Sequence, residues 1–262
     1  MSLSLGAAVS ALTTWRAAFV IGGLVGLVAL VLQLMTLPRI PARQRVQVST
    51  LVALFRVPRA RTGLLGAGLL FAAQFAASTF VTPYLQDLVA AGPATVTLAL
   101  LLFGVAGIAG NFVAGLTLGR SVLGTAATAQ VVLAAAVVAL PLLARSTPAA
   151  LALVVVWGFA WGGLPLAMQT WMSTATPAGP ETGLALFVTT IQLAIAVGSV
   201  LGGVAVTALG IAPDFWLAGG VALVGAVVFG ILGSRSSAAG HVSTGGVATE
   251  DRESVSTAPT LP

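Results

Sequence analysis

The chain of 262 residues is 58% hydrophobic and only 6% charged, whereas a water-soluble domain carries about a quarter charged residues. This composition excludes an ordinary soluble domain and predicts an all-α integral membrane protein. There is no cysteine, and the single histidine, His241, lies outside the apolar region, so we expect neither a metal site nor a cofactor. The net charge of +5 comes from arginines in loops, which indicates a topology signal rather than a surface for nucleic acid.

Residues 1–37 predict one incomplete helix and one complete span. Residues 3–13 offer about half of the roughly 20 apolar residues that a helix needs to cross a bilayer, so we interpret them as the end of a helix whose beginning is absent. Residues 17–37 are long enough to span, and Gly22 and Gly26 form a GxxxG face suited to close helix contact. We therefore interpret this region as the remnant of an N-terminal helical half.

Residues 38–62 form a basic segment between apolar regions. It holds six of the eleven basic residues, and arginine-rich loops lie on the cytoplasmic side of a membrane. We therefore predict a cytoplasmic linker here. This orientation leaves Arg16 and Arg145 outside and places eight arginines near span ends inside, namely Arg39, Arg43, Arg45, Arg56, Arg59, Arg61, Arg120 and Arg235.

Six further spans predict a C-terminal six-helix bundle at residues 63–233. From residue 234 onward Ser, Thr, Gly, Ala and charged residues dominate, which predicts a disordered cytoplasmic tail at residues 234–262. The predicted protein is a multi-pass protein of the cell membrane with seven complete transmembrane helices and one incomplete one. The six spans of the bundle are residues 63–83, 95–118, 122–143, 149–171, 182–209 and 215–232.

Small residues on several of these spans allow close packing between helices. Gly104, Gly107, Gly110 and Gly115 allow a neighbouring helix to approach the span at residues 95–118, and similar four-residue spacings of Ala and Gly give the last two spans smooth packing faces. Asn111 lies among these glycines, and its amide needs partners when hydrocarbon surrounds it. Either a hydrogen bond between helices or a place in a cavity would provide them.

Large residues in the span at 149–171 follow a four-residue step. Trp157, Trp161, Pro165 and Gln169 drift by about 40° at each step, so they form a slowly winding stripe on the helix. Such a stripe suits a substrate path lined with indole rings. It equally suits the filling of space beside the neighbouring glycines.

Neutral polar residues within the spans are candidates for a substrate cavity, because such residues usually face the bundle interior or a water-filled path. Gln74 and Gln192 are the first candidates since both lie near mid-depth, although a glutamine can equally bond a neighbouring backbone. The candidate cavity-lining residues are Gln74, Asn111, Trp157, Trp161, Gln169, Thr189 and Gln192.

Chemically active residues are scarce in the apolar region. No Asp, Glu, Lys or His lies in the middle of a complete predicted span, so the chain supplies no obvious intramembrane proton carrier. The spans also lack the His, Cys or paired carboxylates that acid–base or nucleophilic catalysis requires. We therefore expect that the protein is not an enzyme.

Four stretches of the sequence carry a family resemblance. TWRAAF at residues 14–19 looks like the entry to a sixth helix, and residues 38–62 look like the link between two six-helix halves. LLFGVAGIAGNFVAGLTLGR at residues 101–120 looks like an eighth helix, and residues 165–203 look like a tenth-to-eleventh helix region. The family that these stretches resemble is the major facilitator superfamily, especially its drug/proton antiporters and arabinose-type sugar efflux permeases.

This resemblance implies a helical bundle in which two halves rock around a midplane site, with a small-molecule substrate and protons as the coupling ion. It also implies that Arg120 takes part in a gating contact between the halves. Gly119 stands where the family often has an acidic residue, which weakens or removes that contact. The family has twelve spans, and this chain would begin inside the fifth, without the usual proton-coupling acids.

The leading hypothesis is therefore a fragment of a proton-coupled efflux transporter for a drug-like compound or a sugar. It would need its N-terminal half, or a second chain, as a partner in the lipid bilayer. The alternative is a half-sized membrane protein that serves as an assembly or regulatory partner without transport of its own. Neither reading involves nucleic acid as a partner.

Overall fold

The computed structural model describes the backbone of residues 15–36, 53–176 and 180–256, and the side chains of residues 20–36, 53–176 and 180–235. Within these ranges all regular structure is helical. A short helical turn at Val81–Pro83 and a π-helical turn at Tyr84–Leu88 follow the second long helix. The long helices are α1 Trp15–Thr36, α2 Pro58–Thr79, α3 Pro93–Leu118, α4 Val122–Leu142, α5 Thr147–Thr174, α6 Pro180–Leu209 and α7 Ile211–Ser256.

The helix ends follow from local sequence. Helices α2 and α3 begin at Pro58 and Pro93, because proline has no N–H to leave unpaired in a first turn and its fixed φ suits a helix. Ser121 caps α4 by accepting a hydrogen bond from the Gly124 backbone N–H at 2.9 Å. Helices α6 and α7 are separated at Gly210, whose φ of +98° favours glycine.

The predicted all-α membrane bundle of six spans is confirmed. Six of the described helices are long and apolar enough to cross a membrane, namely Pro58–Thr79, Pro93–Leu118, Val122–Leu142, Thr147–Thr174, Pro180–Leu209 and Ile211–Arg235. They correspond one to one with the six predicted spans of the bundle. Helix α1 has 22 residues and corresponds to the predicted span at residues 17–37. The partial helix predicted at residues 3–13 lies outside the described residues.

The largest differences from the expected boundaries occur at two places. Helix α2 begins at Pro58 rather than at Gly63, so the last five residues assigned to the basic linker are helical. Helix α7 continues to Ser256, past residue 234, where the composition predicts a disordered tail. The side chains from residue 236 onward and most of the linker lie outside the described residues, so the division into linker, bundle and tail stays a prediction.

The six-helix bundle consists of two units of three helices, α2–α4 and α5–α7. Two pairs of interfaces correspond between the units. The packing of α3 on α5 corresponds to that of α6 on α2, and the packing of α4 on α5 corresponds to that of α7 on α2. Helices α4 and α7 pack on each other. Exchanging the two units leaves this set of interfaces unchanged. Because each unit has three spans, the second unit begins on the opposite side of the membrane from the first and is therefore inverted relative to it. Inverted repeats of this kind are typical of secondary transporters.

Glycines bring the backbones of paired helices into close contact. A Cβ on Gly110 would collide with the Phe159 carbonyl oxygen, and one on Gly162 with the Gly107 carbonyl oxygen. On the symmetric pair, a Cβ on Gly198 would collide with the Ala72 carbonyl oxygen. These positions confirm the predicted packing faces of α3 and α6. A Cβ on Gly115 would meet nothing within 4 Å, so this glycine does not contribute to the contact.

Helix α1 has no packed partner among the described residues. The side chains from Val20 to Thr36 are all exposed, and a Cβ on Gly22 or Gly26 would meet nothing within 4 Å. The predicted GxxxG face is therefore free in this part of the chain.

The two ends of the bundle differ in charge. We call the end at which α2 begins and α3 ends the basic end, and the opposite end the outer end. In the described residues the outer end has one arginine, Arg145, together with Asp87 and Asp214. The basic end has one acidic residue, Glu181, and the arginines Arg56, Arg59, Arg61, Arg120 and Arg235.

Each end is fixed by a contact between elements far apart in sequence. At the basic end the Arg59 guanidinium lies 4.7 Å from the centre of the Trp171 ring, and Trp171 Nε1 donates to the Arg59 carbonyl oxygen at 3.0 Å. At the outer end the Tyr84 hydroxyl donates to the Leu140 carbonyl oxygen at 2.6 Å. Burial raises the pKa of Tyr84 to about 12, so this hydroxyl keeps its proton at physiological pH.

Candidate functional site

The bundle has one open face, which we define as the side of α2 and α5 that lies between α3 and α6. Helices α3 and α6 have no packed interface with each other, and the backbones of α2 and α5 come close at few positions. The inner helices α2 and α5 therefore form the floor of this face, and α3 and α6 form its flanks. In proteins built from inverted repeats the substrate site lies at the repeat interface near the membrane midplane.

Gln74 and Trp157 are hydrogen-bonded to each other beneath this face. Trp157 Nε1 donates to Gln74 Oε1 at 2.7 Å, and the two side chains are 0% and 2% exposed respectively. Trp157 also packs edge to face against Phe103, with ring centres 5.3 Å apart. The structure thus brings together two of the predicted cavity residues, and their hydrogen bond satisfies the indole N–H and the amide oxygen and joins α2 to α5.

Trp161 lies one turn further along α5 and is only half-buried. Its indole packs edge to face against Phe71 and Phe75 of α2, with ring centres 5.0 Å and 6.2 Å apart. This aromatic group lies where α2 and α5 meet. It is the large apolar surface of the candidate site.

The predicted winding stripe on α5 is present. Trp157 is buried, Trp161 and Pro165 are half-buried, and Gln169 is exposed, as a drift of about 40° per step requires. The stripe therefore leads from the bundle core to the surface. Gln169 lies near the basic end and is separated from the buried pair.

The flanking helices carry exposed polar residues. Asn111 on α3 and Gln192 on α6 are exposed, and neither amide has a hydrogen-bond partner among the described side chains. Thr189 is also exposed, but its hydroxyl donates to the Ala185 carbonyl oxygen of its own helix at 3.0 Å, which satisfies its donor. Asn111 and Gln192 therefore keep free donors and acceptors.

Depth in the bundle separates these candidates. With a rise of about 1.5 Å per residue, Trp161 and Gln192 lie about 20 Å and 18 Å from the basic ends of their helices, whereas Asn111 lies about 10 Å from it. Trp161 and Gln192 thus share a level near mid-depth. Asn111 lies nearer the basic end of the bundle.

Two buried polar side chains have atoms without a hydrogen-bond partner in the described part of the chain. Gln130 on α4 is 0% exposed, and neither its Oε1 nor its Nε2 is bonded to a described residue. Asp214 lies in the first turn of α7 at the outer end, is 1% exposed, and its Oδ2 has no partner among the described residues. The sequence shows the polar residue in each case, but only packing shows that its partners are missing.

Replacing Gln130 by methionine should raise the free energy of unfolding by about 1 kcal/mol, because a buried amide without hydrogen bonds costs about 1–3 kcal/mol and methionine has a similar size. The measurement is titration of the full chain with SDS in mixed micelles. Gln192→Met, at an exposed amide, is the matched control and should change stability by less than about 0.5 kcal/mol. Lower stability of Gln130→Met would contradict the prediction and show that the amide is hydrogen-bonded.

Arg120 lies in the turn between α3 and α4 and is exposed. Its guanidinium forms no ion pair within the described residues. The gating contact predicted for Arg120 would therefore require a partner from outside them, and this role stays a prediction.

The bundle combines an open face, two inverted three-helix units and helices of membrane-spanning length. This combination is typical of multi-pass helical membrane transporters built from repeats. A family model described as Major Facilitator Superfamily matches residues 1–181. The chain belongs to this family of transporters, whose members are typically not enzymes. The predicted family is thereby confirmed.

The curated relatives include proteins of two kinds. The chain is 33% identical to the transcription regulatory protein OpdE of Pseudomonas aeruginosa over 238 residues, which are 89% of this chain and 59% of OpdE. It is 28% identical to the purine ribonucleoside efflux pump NepI of Salmonella typhi over 224 residues, which are 86% of this chain and 56% of NepI. NepI of Shigella dysenteriae is also 28% identical. The chain thus spans less than three-fifths of the length of these relatives.

Proposed function

We propose that this chain forms one wall of the substrate cavity of an alternating-access efflux transporter. The observation that carries the proposal is the open face, whose floor helices α2 and α5 meet through side chains with few close backbone contacts, and whose flanking helices α3 and α6 have no packed interface. In this family a site between two halves needs an opposite wall. A second six-helix unit, on an N-terminal half or on another chain, supplies that wall in our proposal.

The substrate we propose is a purine ribonucleoside. Trp161 offers a half-buried indole for stacking, and base–aromatic stacking contributes about 1–3 kcal/mol per base. The free amide of Gln192 at the same depth offers both a donor and an acceptor, the pattern with which Gln and Asn recognise purines. The similarity to NepI supports this choice over the drug-like compound or sugar expected from the sequence.

We propose protons as the coupling ion. In this proposal the acidic residues that carry the protons belong to the second six-helix half, which forms the opposite wall of the cavity. Among the described spans the acidic residues lie at helix ends, such as Glu181 at the basic end and Asp214 at the outer end. The proposed orientation places the basic end in the cytoplasm of the cell, because arginine-rich ends stay inside.

Export is the test of this proposal. The full chain is co-expressed with an N-terminal half of NepI in cells that lack purine nucleoside efflux, and export of radiolabelled adenosine is measured with and without a protonophore. We expect protonophore-sensitive export that Gln192→Ala lowers about tenfold, the factor that corresponds to about 1.4 kcal/mol for lost hydrogen bonds. Thr207→Val, an exposed position on the same helix, is the control and should leave export unchanged.

Other outcomes would overturn parts of the proposal. Export that persists with the protonophore would reject proton coupling. Export of a dye or a sugar but not of adenosine would reject the substrate class. Full export by the chain alone would reject the need for a second unit.

A regulatory role without transport is the second candidate, and the similarity to OpdE favours it. In that case this chain co-expressed with the N-terminal half of NepI would export no adenosine, whereas deletion of the chain would change transcript levels. The export assay and a transcript measurement on the same cells therefore distinguish the two functions.

A further inference from the structure

A groove separates α3 from α4 on the side of the bundle away from the open face. Both helices pack on α5, but they scarcely touch each other, so a cleft of about 320 Å³ opens between them with Phe159 of α5 on its floor. This volume lies at the lower end of the range of about 300–1,000 Å³ typical of small-molecule sites. We call this cleft the α3–α4 groove.

The lining of the α3–α4 groove is mostly apolar. Its walls include Val113 and Ala114 of α3 and Ala129 and Val132 of α4, and the polar lining residues are Thr117, Thr125 and Thr128. The hydroxyl of Thr117 is bonded to carbonyl oxygens of its own helix at 3.0 Å and 3.1 Å, so its donor is satisfied within α3. The groove lies within the membrane-spanning length of α3 and α4 and therefore suits an aliphatic chain.

The surroundings of the groove favour a lipid as its occupant, because the groove lies within the membrane-spanning length of the bundle. A single acyl chain is the slender apolar group that the surrounding bilayer provides.

A positive charge marks the basic end of the α3–α4 groove. Thr117 and Gly124 both line the groove, and Arg120 lies in the turn that joins them. Arg120 is exposed and forms no ion pair within the described part of the chain. Basic sites between transmembrane helices bind the headgroups of anionic lipids, so the charge of Arg120 complements a lipid phosphate.

We propose that an anionic phospholipid binds here, with one acyl chain in the α3–α4 groove and its phosphate against Arg120. This site is separate from the open face and does not depend on the transport proposal. Aliphatic walls select for a chain, and the guanidinium selects for a negative headgroup.

Native mass spectrometry of the full chain, purified in detergent and supplied with phosphatidylglycerol or phosphatidylcholine, tests the proposal. We expect tighter binding of phosphatidylglycerol, weakened about fivefold by Arg120→Gln, the factor expected for one arginine near an anionic lipid. Arg120→Lys should retain most of the binding because it keeps the charge. Arg235→Gln removes an exposed arginine at the same end on another helix and should change binding less than twofold.

A second variant tests the acyl-chain part of the site. Thr128 is exposed and lines the α3–α4 groove, so Thr128→Phe should fill the groove without disturbing the core and should weaken phosphatidylglycerol binding at least fivefold. Inorganic phosphate alone should not displace the lipid. Equal binding of the two lipids, equal effects of Arg120→Gln and Arg235→Gln, no effect of Thr128→Phe, or displacement by phosphate would each overturn the proposal.

Discussion

Replacing Gly110 by alanine should lower the free energy of unfolding by about 1–3 kcal/mol, the range for an added methyl group in a close-packed interior. The new Cβ would collide with the backbone carbonyl of Phe159, and a backbone cannot rotate away as a flexible side chain can. Helices α3 and α5 must therefore separate. The measurement is SDS titration of the full chain in mixed micelles, followed by far-UV circular dichroism.

Gly115→Ala is the matched control on the same helix. A Cβ there meets nothing within 4 Å, and alanine has a higher helix propensity than glycine, so its stability should be equal or slightly higher. Equal losses for the two variants would mean that the effect comes from the helix itself. The close approach of α3 to α5 would then not explain it.

Removing the hydrogen bond between Gln74 and Trp157 should destabilise the bundle by about 1–3 kcal/mol for either single change. Gln74→Leu leaves the buried indole N–H without a partner, and Trp157→Phe leaves the buried amide oxygen without one. Trp157→Phe should have the larger effect because it also loses packing against Phe103. SDS titration of both variants gives these values.

The double variant Gln74→Leu/Trp157→Phe isolates the interaction between the two side chains. We expect the double variant to lose less stability than the two single variants lose together. The difference should be about 0.6–1.7 kcal/mol, the mean and maximum of the coupling energies measured between membrane helices. Thr79 and Ser199, whose exposed hydroxyls lie 3.3 Å apart, form the control pair and should show a smaller coupling. Strict additivity of the Gln74 and Trp157 effects would refute the predicted interaction.

The helices were predictable because a membrane imposes length and composition. Runs of about 20 apolar residues, separated by turns and arginines, predict all six spans of the bundle. The start of α2 was placed five residues too late, because Arg59 and Arg61 suggest a loop. Arg59 instead lies on the Trp171 ring, and this contact between distant segments leaves no local signal.

The candidate site was less predictable because exposure depends on which helices meet. Gln74 and Gln192 look alike in the sequence, since both are glutamines near mid-depth of an apolar span. The structure buries Gln74 against Trp157 and leaves Gln192 exposed. Helical periodicity did predict the winding stripe from Trp157 to Gln169, because the drift of the stripe depends only on the angle between residues within one helix.

The bonds between the two three-helix units have a mechanical consequence. Trp157 and Gln74 join the units in the interior, Trp171 and Arg59 join them at the basic end, and Tyr84 contacts Phe215 at the outer end, with ring centres 4.8 Å apart. These contacts oppose separation of the two three-helix units at both ends and in the interior, and the packed interfaces of α4 with α5 and with α7 add to them. In the proposed transporter we therefore expect the six helices to move together against the opposite wall, with little change between the two three-helix units.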